Sequence, residues 1–146
     1  MRIATKVLAS ALVLFAGVAI AEVEATDPVV IAQKDLMKSF GGAMKTLGGM
    51  ASGEVAFDAT AAEAAKATLV TGSADIHVKF EKAGNDPASE AKPEIWTNWD
   101  DFVKKADALN AAATAVDATS VDGIKAGMGA VGGACKDCHT TYRVAS

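Results

Sequence analysis

The sequence predicts an all-α fold, an antiparallel four-helix bundle. Four long segments place apolar residues three and four positions apart, which is the spacing of a helix face that packs against neighbouring helices. The chain has only three prolines, and the composition of its long segments suits helices better than strands. No stretch alternates apolar and polar residues in the manner of a half-buried strand.

The first two segments start at helix-capping residues. The first begins at Asp27-Pro28, a capping residue followed by the proline favoured in a first helical turn. The second follows Asp58 or Thr60 and ends around Phe80, with a weak point at 71–73, where the sequence is Thr-Gly-Ser. The predicted inner faces are Val30, Gln33, Met37, Phe40, Met44 and Leu47 in the first helix, and Ala62, Ala65, Leu69, Gly72 and Ile76 in the second.

A polar connection containing Gly and Pro, residues 82–92, separates these helices from the last two and predicts a long crossover loop. The third helix is expected to follow Pro93, and the fourth to follow Ser120, a good N-cap. Their predicted inner faces are Ile95, Trp99, Phe102, Ala106, Leu109, Ala113 and Val116, and then Val121, Ile124, Met128, Val131, Cys135, Cys138 and Tyr142.

The N-terminus has the pattern of a secretory signal peptide. Arg2 and Lys6 precede an uncharged run over 7–21, which ends in the small-x-small sequence Ala-Ile-Ala. The alternative is a membrane anchor, but the run is shorter than the roughly 20 residues needed to span a bilayer. We therefore expect residues 1–21 to be removed on export, residues 22–146 to form one four-helix-bundle domain, and the mature protein to have no stable membrane insertion.

The mature chain is expected to be acidic. Removing the two positive charges of the signal peptide changes the net charge from −4 to −6. This net negative charge argues against nucleic-acid binding and favours partners that present basic patches.

Residues 135–139 carry the candidate chemistry. Their sequence, Cys-Lys-Asp-Cys-His, is the Cys-x-x-Cys-His pattern of covalent haem attachment. On a helix, Cys135 and Cys138 lie on one face and can form two thioethers with a porphyrin, while His139 can bind the iron as the proximal axial ligand. The predicted cofactor is one haem c.

Two alternatives explain cysteines at this spacing. A thioredoxin-type redox motif normally opens a helix after a strand, whereas this motif closes a predicted helix. A tetrahedral zinc site needs a fourth suitable ligand, and the only other histidine, His77, is distant in sequence and expected to face solvent. The position of the motif therefore favours haem attachment.

The chain resembles the class II c-type cytochromes, which include cytochrome c′ and its low-spin relatives. The resemblance is carried by the sequence over 38–45 (KSFGGAMK), by the stretch over 95–102 (IWTNWDDF) and by a haem motif at the C-terminus of a four-helix bundle, over 135–143. It implies periplasmic localisation, redox-protein partners and a homodimer packed through the first two helices.

The resemblance leaves the distal side of the iron open. Cytochrome c′ closes it with an apolar residue and binds nitric oxide or carbon monoxide at five-coordinate iron, whereas the low-spin relatives place a methionine there. The matching position is Met37, which implies a distal axial ligand, and Met44 is the competing candidate. The family's usual propionate-binding arginine is replaced by Gln33, which implies at most a neutral hydrogen-bond donor.

The sequence-based hypothesis is a one-electron carrier with low-spin His139 and Met37 ligation. The alternative is a five-coordinate protein that binds nitric oxide or carbon monoxide. Enzymatic activity is not expected, because no general acid or base is identified near the iron from sequence.

Overall fold

The computed structural model describes residues 24–145, so the predicted signal peptide lies outside the described residues. This part of the chain forms five helices: α1 (Pro28–Ser52), α2 (Ala59–Lys79), α3 (Glu94–Thr97), α4 (Trp99–Thr114) and α5 (Val121–Tyr142). Between residues 24 and 145, no helix combines the length and apolar character needed to cross a bilayer.

Side-chain caps fix the start of three long helices where the sequence predicted them. Oδ1 of Asp27 accepts a hydrogen bond from Val29 N over 2.7 Å at the start of α1. Asp58 and Ser120 accept in the same way at α2 and α5, over 2.8 Å and 3.0 Å. Each cap satisfies a backbone donor that the first helical turn would otherwise leave unpaired. At its other end, α1 stops at Gly53, whose φ of 81° is the left-handed conformation that favours glycine.

Helix α2 runs without a break through its predicted weak point. Gly72 presents no side chain to α1, and Phe40 fills that space: a Cβ on Gly72 would lie 2.4 Å from Cε1 of Phe40. Beside it, Oγ of Ser73 donates to the carbonyl of Val70 and accepts from Nδ2 of Asn110 in α4 over 2.9 Å. The small residues are therefore contact points with the neighbouring helices.

The predicted third helix is divided in two. Asn98, at φ −125° and ψ 45°, leaves the helical conformation and separates α3 from α4. In α3, Nε1 of Trp96 donates to the carbonyl of Phe80 over 2.8 Å, which fixes this short helix on the end of α2. The apolar spacing nevertheless continues across the break, because Ile95 and Phe102 are both buried.

The four long helices form an antiparallel bundle in which α1 and α4 each pack against α2 and α5. The antiparallel direction of α2 and α4 follows from two contacts, Ser73 with Asn110 and Phe80 with Phe102. The predicted inner faces are buried or half-buried throughout. The largest fully buried apolar side chains are Leu47, Leu69, Ile95, Ile124, Val30, Val116 and Val131. Each such side chain contributes about 1.5–3 kcal/mol relative to exposure.

The crossover between α2 and α3 pairs with the C-terminus. Lys92 N donates to the carbonyl of Tyr142 over 2.9 Å, and Val144 N donates to the carbonyl of Glu90 over 2.8 Å. Ala91 and Arg143 form an isolated antiparallel bridge between these hydrogen bonds. The end of α5 is therefore held against the crossover.

Candidate haem site

A cavity of about 730 Å³ lies between α1, α4 and α5, and the crossover at 89–91 forms part of its wall. Most of its surface is apolar, and its size is within the range of about 300–1,000 Å³ usual for sites that bind small molecules and cofactors. Six residues singled out from the sequence line it: Gln33, Met37, Met44, Cys135, Cys138 and His139. The structure therefore brings together side chains that are about a hundred positions apart in the chain.

Helix α5 places the three motif residues within one turn. It continues to Tyr142, so Cys135, Cys138 and His139 project from regular helical backbone. Both cysteines are half-buried free thiols. Burial raises the pKa of both thiols, that of Cys138 to about 11. Disulfide oxidoreductases need the opposite shift, a lowered cysteine pKa.

His139 also lines the cavity, and its surroundings favour the neutral imidazole. Desolvation by the surrounding protein lowers the pKa of His139, the positive charge of Arg143 lowers it further, and Glu90 acts in the opposite direction. Neutral imidazole is the form of histidine that binds metals. The lowered pKa therefore favours the form of His139 that an axial ligand requires.

These residues fit a covalently attached haem. Two thiols and an imidazole face one largely apolar space, and both candidate thioether ligands, Met37 and Met44, line it from α1. Phe40 lies between the two methionines in the sequence of α1. Its side chain is buried and lines the same wall of the cavity. Helix α5 therefore supplies the groups that could attach the haem and bind its iron. Helix α1 supplies apolar and thioether side chains to the same cavity.

Gln33 lines the cavity, but its amide nitrogen is engaged elsewhere. Its side chain is buried, and Nε2 donates to the carbonyls of Lys79 and Lys82 over 3.2 Å and 3.1 Å. These bonds connect α1 to the end of α2. A contact between Gln33 and a haem propionate stays a prediction.

Sequence reasoning missed charged residues in the cavity wall, among them Glu90 and Lys105. Oε2 of Glu90 accepts from Nε of Arg143 over 2.7 Å. Nζ of Lys105 donates to Oδ2 of Asp137, inside the haem motif, over 2.6 Å. Neither contact could be read from helical spacing, because each joins distant parts of the chain.

His77 belongs to a separate surface feature. His77 is exposed, as expected, and lines a surface cavity of about 490 Å³ together with Val78, Glu81, Trp96 and Trp99. Trp99 also contacts the core through Phe102, with ring centroids 5.5 Å apart. His77 is therefore not among the residues that line the haem cavity.

Known proteins share the sequence pattern of this chain. The cytochrome c′ family pattern matches residues 29–143. Cytochrome c-556 of Agrobacterium fabrum is 38% identical over 115 residues, which cover 77% of this chain and 78% of the relative.

Solved structures share the fold. Cytochrome c′ from Rhodopseudomonas palustris is 32% identical, with a TM-score of 0.71 over 83% of this chain and 98% of that one. Cytochrome c′ from Alcaligenes xylosoxidans, solved as a ferrous variant with bound nitric oxide, is 25% identical, with a TM-score of 0.70 over 81% of this chain and 94% of that one. From the motif, the cavity and these matches together, the chain belongs to the cytochrome c′ family of class II c-type cytochromes, with one covalently bound haem c.

Proposed function

We propose that this cytochrome is an exported one-electron carrier in which Cys135 and Cys138 hold the haem, while His139 and Met37 are its axial ligands. The observation that carries the proposal is the position of Met37, which lines the haem cavity from α1 while the motif lines it from α5. A thioether ligand stabilises ferrous iron and raises the reduction potential, as suits an electron carrier. The haem supplies the one-electron chemistry, and the chain supplies its ligands and its surroundings.

The α1 wall supports a carrier over an enzyme. Its buried and half-buried apolar side chains are those of Val30, Met37, Phe40 and Met44, and it also contains the polar residues Gln33, Lys34, Asp35 and Lys38. Peroxidase-like chemistry needs polar groups beside the open coordination position to move protons. Met37 and the apolar cavity-lining side chains that follow it along α1, Phe40 and Met44, carry no group that could do so, and the amide nitrogen of Gln33 is engaged by two backbone carbonyls.

The second candidate is a five-coordinate protein that binds nitric oxide or carbon monoxide. The nitric-oxide complex of the Alcaligenes xylosoxidans relative favours it. In this case Met37 would close the distal side by packing alone, because methionine is also a common filler of irregular apolar space.

Absorption spectra of the purified protein in both oxidation states separate the two candidates. Methionine ligation predicts low-spin haem with a far-red charge-transfer band in the ferric protein, and slow binding of carbon monoxide by the ferrous protein. High-spin spectra with rapid carbon monoxide binding would favour the gas-binding function.

We also propose that the protein works in the periplasm after removal of residues 1–21, exchanges electrons with other periplasmic redox proteins and forms a homodimer. The acidic mature chain supports partners with basic patches. N-terminal sequencing of exported protein should start at Glu22, and sedimentation should give twice the protomer mass. An intact Met1 on membrane-bound protein would favour an uncleaved anchor.

A further inference from the structure

Glu90 connects the crossover to the last turn of the haem-binding helix by two kinds of bond. Its carboxylate accepts from the Arg143 guanidinium over 2.7 Å, and its backbone carbonyl accepts from Val144 N over 2.8 Å. Arg143 N in turn donates to the carbonyl of His139 over 3.0 Å. The side chain of Arg143 is therefore held from one side by Glu90, while its backbone is held by the residue proposed to bind the iron.

Glu90 and Arg143 both carry their charges in the wall of the haem cavity. Glu90, Arg143 and His139 line it together, and Lys34 of α1 lines it as well. The positive charges of Arg143 and Lys34 both favour the ionised carboxylate of Glu90, and the hydrogen bond from Arg143 is the largest cause of its lowered pKa. Both Glu90 and Arg143 also act electrostatically on His139, in opposite directions.

We propose that Glu90 is a positioning residue, which holds the Arg143 guanidinium beside His139 and offsets its positive charge, and so lowers the reduction potential of the haem iron. The proposal rests on proximal ligation by His139, which is part of the proposed function, and it is independent of Met37. Reduction adds one electron and lowers the charge of the iron by one unit. An uncompensated positive charge nearby would favour the reduced state, and a neighbouring carboxylate opposes that effect.

The pair is suited to tuning the haem because it contributes little to holding the fold. The two side chains are 44% and 51% exposed, and ion pairs at such exposure stabilise proteins only weakly. The backbone hydrogen bonds of Lys92 and Val144 hold the crossover against the end of α5 without this ion pair. Variants that remove only the charge of Glu90 are therefore expected to fold and to take up haem.

The experiment is a spectroelectrochemical titration of the haem-loaded protein as wild type, Glu90→Gln, Arg143→Gln and the double variant. We expect Glu90→Gln to raise the reduction potential, Arg143→Gln to lower it, and the double variant to return close to wild type. Arg143→Lys should largely restore the wild-type potential, because it keeps the charge. The control is Glu54→Gln, which removes the same charge in the connection after α1 and outside the cavity wall, and should leave the potential nearly unchanged.

Spectra of every variant distinguish a failure of this inference from a failure of the proposed function. A high-spin spectrum of the wild-type protein would contradict ligation by Met37. It would not change the shifts in reduction potential expected for Glu90→Gln and Arg143→Gln. If Glu90→Gln fails to raise the potential while its absorption spectrum matches wild type, the role of Glu90 is wrong. Equal shifts in Glu90→Gln and Glu54→Gln would also overturn it, because the effect would then be one of net charge.

Discussion

The hydroxyl of Tyr142 donates a hydrogen bond to Oδ2 of Asp101 over 2.7 Å, which joins the end of α5 to the first turn of α4. The ring of Tyr142 packs edge-on against Phe102, with centroids 5.4 Å apart. Tyr142 lies three residues after His139 and lines the haem cavity, so this bond fixes the helical turn that carries the proposed iron ligand.

Tyr142→Phe should reduce the free energy of unfolding by about 1.5 kcal/mol, because a hydrogen bond to a charged group is lost while the ring contacts remain. Desolvation, together with the bond to Asp101, raises the pKa of Tyr142 to about 12 from the usual 10.0. A raised folded-state pKa gives stability that is complete below pH 10 and is lost as the pH rises toward 12. Denaturant titrations from pH 7 to 11 should show a smaller alkaline loss in the variant. An identical alkaline loss in both proteins would contradict this role of the hydroxyl.

Asp86→Asn should weaken the start of α1 at neutral pH. The Asp86 carboxylate accepts hydrogen bonds from the backbones of Thr26, Asp27 and Ala88, and these bonds hold its pKa well below the usual 3.8. A lowered folded-state pKa gives stability that is present above pH 3.8 and is lost as the pH falls below it. Wild type should therefore be more stable than the variant at pH 7, and the difference should shrink during acid titration followed by circular dichroism.

The control for Asp86→Asn is Asp100→Asn, because Asp100 is an exposed carboxylate in the first turn of α4. That variant should show only a small change at either pH. A constant difference between wild type and Asp86→Asn from pH 7 to 2 would show that the ionised carboxylate is not the cause.

Met37→Ala should convert low-spin haem to high-spin haem, lower the reduction potential and allow rapid carbon monoxide binding. Met44→Ala is the matched control, because Met44 lines the same wall and is also half-buried. Each truncation should cost about 2 kcal/mol of stability, so a stability loss does not identify the ligand. An unchanged spin state in Met37→Ala, with a change in Met44→Ala, would transfer the distal role to Met44.

Gly72→Ala should destabilise the protein by about 1–2 kcal/mol, although alanine is the better helix former. Its Cβ would meet the ring of Phe40 at 2.4 Å and Cδ1 of Leu36 at 3.2 Å, and overpacking of this kind exceeds the gain of about 1 kcal/mol in helix propensity. Gly129→Ala in α5 is the control, since nothing lies within 4 Å of the added Cβ. That variant should be about 1 kcal/mol more stable by thermal or denaturant unfolding. Equal gains in both would show that α1 and α2 separate easily at this point.

Local chemistry explains what the sequence predicted correctly. The starts of α1 and α5 follow from capping by Asp27 and Ser120, which depends on residues two or three positions away. The buried faces follow from helical periodicity, and the haem motif is complete within five residues. None of these signals requires knowledge of a distant part of the chain.

Only the tertiary structure decided the features that depend on distant contacts. The sequence predicted a weak point of α2 at Gly72, whereas in the structure the ring of Phe40 from α1 fills the space beside this glycine. The carboxylate of Glu90 contacts Arg143, which is 53 positions away in the chain. The break at Asn98 lies between a short helix fixed to Phe80 and a helix packed in the bundle. The sequence by itself determined where α1 and α5 begin, which faces the helices bury and which residues are the candidates for haem attachment. The packing of the helices decided which polar groups surround it, because those contacts form between segments that are adjacent only in the folded chain.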